Sequence, residues 1–115
     1  MLTQLARPQW QSFFAKLSPL LRAQVLEVEV YALGLGAQIS TDWVRLAELS
    51  YDAQNDVLQI GVYGADRSIH RPAQVHLRGD DAWLQSIEIV GSEGRRDVLI
   101  LREPLRLAAP PAAAT

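Results

Sequence analysis

The sequence predicts an α+β domain over residues 1–107, an N-terminal amphipathic helix followed by a bent antiparallel meander of five to six strands. Three stretches carry this expectation. Trp10, Phe13, Phe14 and Leu17 recur at i, i+3, i+4 and i+7, one apolar face of a helix. Leu26, Val28 and Val30 alternate with Glu27 and Glu29, the period of a half-buried strand. From Trp43 to Tyr63, two apolar runs flank the polar turn Asp52-Ala-Gln-Asn-Asp56, which reads as a hairpin.

Composition bounds the rest. A chain of 115 residues is one domain's worth and can bury a core without covalent staples. The formal net charge of -2 gives no global attraction to nucleic acid or an anionic membrane. The sequence has no cysteine, so disulfides, thiol nucleophiles and thiolate metal sites are excluded together. This fits a reducing compartment, and a cytoplasmic location is expected. Arg7 and Pro8 interrupt the N-terminus where a signal peptide would be apolar, and no run approaches the ~20 apolar residues that span a bilayer. Ten of the eleven basic residues are Arg and Ala is abundant, a bias of GC-rich bacterial genomes.

In chain order, Pro8 suits the first turn of the helix, where its missing N–H costs nothing. Ser18-Pro19 stops that helix or restarts it. The first strand is Val25–Tyr31. Glu27 and Glu29 project from one of its faces, as solvated charges rather than an acid–base pair, because no histidine or third carboxylate is close in sequence. Gly34-Leu-Gly36 lacks the third glycine and following helix of a dinucleotide fingerprint and is expected as a turn. In the hairpin, Val44 and Leu46 are in one phase and Leu49 and Tyr51 in the other, so a bulge or bend is expected near Ala47-Glu48. Gly61 marks a second bend in the partner strand. The spacing of the Asp52–Asp56 turn is not that of an EF-hand.

Gly64–Ser68 is expected as a loop, followed by a strand from Ile69 to Arg78 whose Pro72 suggests an edge position. Regular parity would place His70, His76 and Arg78 on one face. The two histidines would stand about 20 Å apart, too far to share a metal. Gly79–Asp81 turns the chain, Trp83, Leu84, Ile87 and Ile89 form a strand, and Gly91-Ser-Glu-Gly94 is a hairpin turn. Arg96–Arg102 is apolar on both faces, which predicts a central strand covered on both sides. The Ala/Pro-rich stretch 108–115 is expected as a disordered tail.

Trp10-Gln-Ser-Phe-Phe14, Val28-Glu-Val30, Leu49-Ser-Tyr-Asp52 and Asn55-Asp-Val-Leu58 follow one another in the chain. Ile69-His-Arg-Pro72, Leu84-Gln-Ser-Ile-Glu-Ile89 and Glu103-Pro-Leu105 complete the series. This set resembles the small bacterial proteins grouped as domain of unknown function 5335, over residues 5–107. The resemblance implies a bacterial single-domain protein and brings no activity, ligand or catalytic residue.

A helix before a strongly bent five-strand sheet is also similar to small Sm-like or SH3-like barrels, an analogy of fold that does not fix function. The leading functional reading is a non-enzymatic binding or assembly module, partnering itself as a homodimer or another protein through a sheet edge. A nucleic-acid-binding small barrel is the alternative, weakened by the acidic charge. A hydrolytic enzyme using His70 or His76 with Asp or Glu is the third, and nothing in the sequence fixes two such groups at catalytic distance. No catalytic set, cofactor, metal site or membrane partner is expected. The candidate binding surface is Trp43, Arg67, His70, Arg71, His76 and Arg78, because guanidinium groups grip carboxylates and phosphates bidentately.

Overall fold

The computed structural model describes residues 2–22, 24–32, 36–62, 65–92 and 94–107. The turn expected at Gly34 and Leu35, Gly64 of the next expected loop, and the tail 108–115 lie outside the described residues. Strand β1 (Leu2–Gln4) leads through a single 3-10 turn (Arg7–Gln9) into helix α1 (Trp10–Leu21). Seven strands follow: β2 (Val25–Ala32), β3 (Gly36–Asp52), β4 (Val57–Val62), β5 (Ala65–His70), β6 (Gln74–Asp80), β7 (Trp83–Val90) and β8 (Arg96–Arg106). All eight pair antiparallel in one sheet of order β1-β6-β7-β8-β2-β3-β4-β5.

The expectation of five to six strands is therefore corrected to eight among the described residues. Leu2–Gln4 is too short to show a period and becomes a strand by pairing with β6. The single strand expected from Ile69 to Arg78 is two strands, and Asp66–Ser68, expected as loop, belong to the first of them. The break falls at Arg71-Pro72. Arg71 has a φ of 53°, and its N–H bonds the Asp56 carbonyl at 2.8 Å across the corner. Pro72 has no N–H to continue a ladder. His70 therefore stands on a different strand from His76 and Arg78, and the shared face expected of the three does not exist.

The helix buries Trp10, Phe14, Leu17 and Leu21, with Phe13 on its shoulder. It runs through Pro19 without stopping. Pro19 forfeits the one bond that its N–H would have given to the Ala15 carbonyl, and buried Leu17 and Leu21 on either side hold that turn down. The helix packs on β3. Its apolar face joins Leu26, Val28, Leu49, Leu58, Leu77, Ile87 and Leu99 in one buried cluster.

Strand β3 serves both halves of the sheet. Its first part pairs with β2 and its last seven residues, Leu46–Asp52, with β4. The ladder slips by one residue between Leu46 and Glu48, where the phase change in the sequence predicts it. Gly61 sits opposite that bulge, and a Cβ there would lie 3.2 Å from the Glu48 Cβ and 3.2 Å from the Asp66 carboxylate. Further slips against β2 fall on either side of Val28, and Trp43 takes a φ of 44° beside one of them. These bulges bend the sheet. At its far end Arg67 of β5 meets Asp97 of β8 in an ion pair, although the two strands are four places apart in the order.

β8 is central, between β7 and β2. It is not covered on both sides, as its apolar run predicts. Leu99 and Leu101 are buried, whereas Val98 and Ile100 on the other face are half-exposed. One twelve-residue helix covers only one side of the sheet.

Candidate functional site

Polar and aromatic groups concentrate in three places. The first is a latch where the helix meets the β3–β4 turn. Trp10 Nε1 donates to the Leu5 carbonyl at 3.0 Å, and the Trp10 ring meets Tyr51 edge-on at 5.2 Å. The Tyr51 hydroxyl donates to Asp56 at 2.6 Å. Arg7 lies over Trp10 at 4.3 Å, bonds Asp56 at 3.3 Å and donates to the Pro72 carbonyl at 2.8 Å. Burial pushes the Tyr51 phenol above its ordinary pKa, and donation to Asp56 adds to this. Within the turn, Asp52 accepts from the Gln54 and Asn55 amides and from the Asn55 side chain. The Asn55 bonds hold the Asp52 carboxyl below its ordinary range. The paired Trp/Phe segment, the Tyr-Asp turn and Pro72, all prominent in the family resemblance, thus converge on a joint whose polar groups bond one another.

The second place is the outer face of β6, β7, β8 and β2, a shallow hollow of about 570 Å³. Strand register arranges it in rows. One row runs Leu2, Arg78, Ser86, Ile100, Glu27, and the next Gln4, His76, Glu88, Val98, Glu29. Basic groups on β6 and acidic groups on β2 therefore flank the half-exposed Val98 and Ile100. Arg96 bonds Glu88 at 3.3 Å and covers the Tyr31 ring at 4.8 Å. The Tyr31 hydroxyl donates to Glu29 at 2.9 Å, the main reason its pKa is raised. His76 bonds Gln74 at 2.9 Å. Arg102, on the rim, lies 5.9 Å from the ring of Trp43, which is 43% exposed.

The third place is a cleft of about 270 Å³ between β5 and the β7–β8 hairpin. Arg67, His70 and Arg71 line one wall, and Ser92, Arg95 and Asp97 the other. Asp97 is 2% exposed, the one buried charged residue among those described. It takes Arg67 through Nε, and Arg95 Nε stands 3.7 Å from its other oxygen.

The six candidate residues from the sequence thus divide into two groups of three. Arg67, His70 and Arg71 share the cleft, and His76 and Arg78 share the outer face with Trp43 at its margin. Sequence reading missed Asp97 and Arg95. The signal was present, since Asp97 has the parity of inward-facing Leu99 and Leu101, and an acid on an apolar face needs a partner. Arg96 and Arg102 were read only as strand ends. No group of three or more His, Asp or Glu among the described residues is placed to hold a metal.

Fold and surfaces together define a class: a small antiparallel β protein with a one-helix cover, an open charged sheet face and an arginine-lined cleft. The chain belongs to the Family of unknown function (DUF5335), whose profile matches residues 1–110. An uncharacterized protein of Aquifex aeolicus (strain VF5) is 30% identical over 102 residues, covering 88% of this chain and 92% of the relative. No solved structure matches significantly. No helix among the described residues is long and apolar enough to cross a membrane.

Proposed function

We propose that this protein is a non-enzymatic assembly module of the bacterial cytoplasm, and that its outer sheet face pairs with a second copy of the chain. The charge order across that face carries the reading. Arg78 and His76 on β6 lie three strand spacings, about 14 Å, from Glu27 and Glu29 on β2. A two-fold axis parallel to the strands and passing between β7 and β8 sets β6 of one copy over β2 of the other. Arg78 then faces Glu27 and His76 faces Glu29, twice over. Ser86 meets Ile100 in the same row. Such an isologous contact is self-complementary, whereas an axis across the strands would set β6 on β6 and oppose like charges.

Further features support the reading. The same two-fold brings the end of β1 toward the bulged part of β3, where Leu2 is 72% and Trp43 43% exposed. The sheet edges are less suited to pairing. Of the two edges, β1 has only three residues and β5 is tied back to β8 by the Arg67–Asp97 pair, while β2 is internal between β8 and β3. The histidines stand in separate places, one on the outer face and one in the cleft, which favours binding over hydrolysis. The curled sheet, with β3 shared between its halves, supports a small half-open barrel as the scaffold.

Four strands present a footprint below the roughly 800 Å² per partner of a standard interface. The dimer is thus expected to be weak, concentration-dependent and weakened by salt. Sedimentation velocity over a concentration series tests it. Arg78→Glu should weaken association at least tenfold, and Arg78→Glu with Glu27→Arg should restore it. A strict monomer at every concentration, or association indifferent to Arg78→Glu, overturns the proposal.

A further inference from the structure

The cleft between β5 and the β7–β8 hairpin carries a second, independent function. We infer that it is an oxyanion site, taking the phosphate or carboxylate group of a small ligand. Among the described residues, Arg67, Arg71 and Arg95 line it against one carboxylate, Asp97. Joining β5 to β8 needs a single cation, and Arg67 supplies it. Arg71 and Arg95 bring positive charge beyond that need.

Asp97 is the positioning residue. Almost fully buried, it meets both Arg67 and Arg95 through their Nε atoms. The terminal amines of both guanidiniums have no acceptor among the described residues. Arg67, hydrogen-bonded through Nε, still offers its terminal amines to an oxyanion, and Arg95, 51% exposed, stands at ion-pair distance from the same carboxylate. Arg67 is only 21% exposed, so its charge is screened less than that of a surface arginine. Arg71 is fixed differently. Its backbone N–H is bound by the Asp56 carbonyl at 2.8 Å and its φ is 53°, which sets the direction in which its side chain leaves the corner. A volume of about 270 Å³ admits one oxyanion with a small substituent and is too small for a folded partner. The Ser92 hydroxyl on the opposite wall is a further donor.

The site is tested on the full chain by ¹⁵N NMR, titrating inorganic phosphate and, separately, succinate, with sodium chloride at matched ionic strength as control. One or both anions should give saturable shifts at Ser68–Arg71 and at Gly91, Ser92 and Arg95, and chloride should not. Saturation by phosphate alone assigns a phosphate ligand, and saturation by succinate alone a carboxylate. Arg71→Gly should weaken binding at least tenfold without loss of thermal stability, because glycine accepts a φ of 53° more readily than arginine. Arg95→Gln should weaken it while leaving Arg67 on Asp97. Shifts that do not saturate by tens of millimolar, that follow chloride equally, or that are unchanged in Arg71→Gly overturn the inference.

Discussion

At the helix end, Arg7, Tyr51 and Asp56 bond one another or the backbone. On the outer face, Arg78 and Arg102 have no ion pair among the described residues. The two regions use similar side chains to opposite ends. In the latch the buried Trp10 and Tyr51 find partners for their polar atoms in the Leu5 carbonyl and Asp56, and Arg7 ties Asp56 to the Pro72 corner, so the contacts hold helix, turn and corner together. On the outer face strand register spreads the charges across an open surface, where exposed charges such as Arg78 add little to folding. The family resemblance is strongest in the latch. What is easiest to recognise in this sequence is therefore architecture.

Substitutions can break this contrast. The largest effects belong to the interior. Trp10→Ala should destabilise the fold by about 3–5 kcal/mol, because it leaves a cavity against Tyr51 and frees the Leu5 carbonyl. Asp97→Ala should cost a similar amount, roughly 3–5 kcal/mol, by leaving Arg67 without its buried partner. Denaturant unfolding measures both, and a loss under 1 kcal/mol in either would mean that the interior contacts hold the fold no more than the exposed charges do.

Gly79→Ala comes next. A Cβ at Gly79 would stand 1.8 Å from the Trp83 carbonyl oxygen, at the slip in the β6–β7 ladder, so the hairpin backbone must move. A loss of about 1–3 kcal/mol is expected in chemical denaturation.

Tyr51→Phe should cost about 1 kcal/mol near neutral pH through the lost bond to Asp56. The raised Tyr51 pKa gives stability that is complete below the unfolded value of about 10 and fades as pH rises through the folded value. The gap between wild type and Tyr51→Phe should therefore narrow above pH 10. A constant gap would mean that the phenol does not titrate late.

The smallest stability effects are expected at exposed charges. Asp52→Asn should weaken the turn mildly. The lowered Asp52 pKa gives stability present above the unfolded value of about 4 and lost as pH falls through the folded value, so melting curves should converge in acid. Arg78→Glu should leave the melting temperature of the monomer nearly unchanged while weakening dimerisation at least tenfold. A variant that also unfolds would place Arg78 with the latch.

Local chemistry was legible in the sequence. The Trp10–Leu17 stripe, the Leu26/Val28 alternation, the Asp52–Asp56 turn and the bulge at Ala47-Glu48 are set by neighbours a few residues apart, and periodicity or turn chemistry reports them directly. Other features follow only from which strands lie side by side. Leu2–Gln4 becomes a strand because β6 is there to receive it. Pro72 becomes a corner because Asp56, sixteen residues earlier, binds the Arg71 amide. Arg67 and Asp97, thirty residues apart, meet because the bulged sheet brings β5 back to β8. The six candidate residues lie on two separate surfaces, and their division between an open face and a cleft was beyond the reach of sequence. Strand period fixes the face on which a side chain lies, and only the order and curl of the sheet decide which other side chains share it.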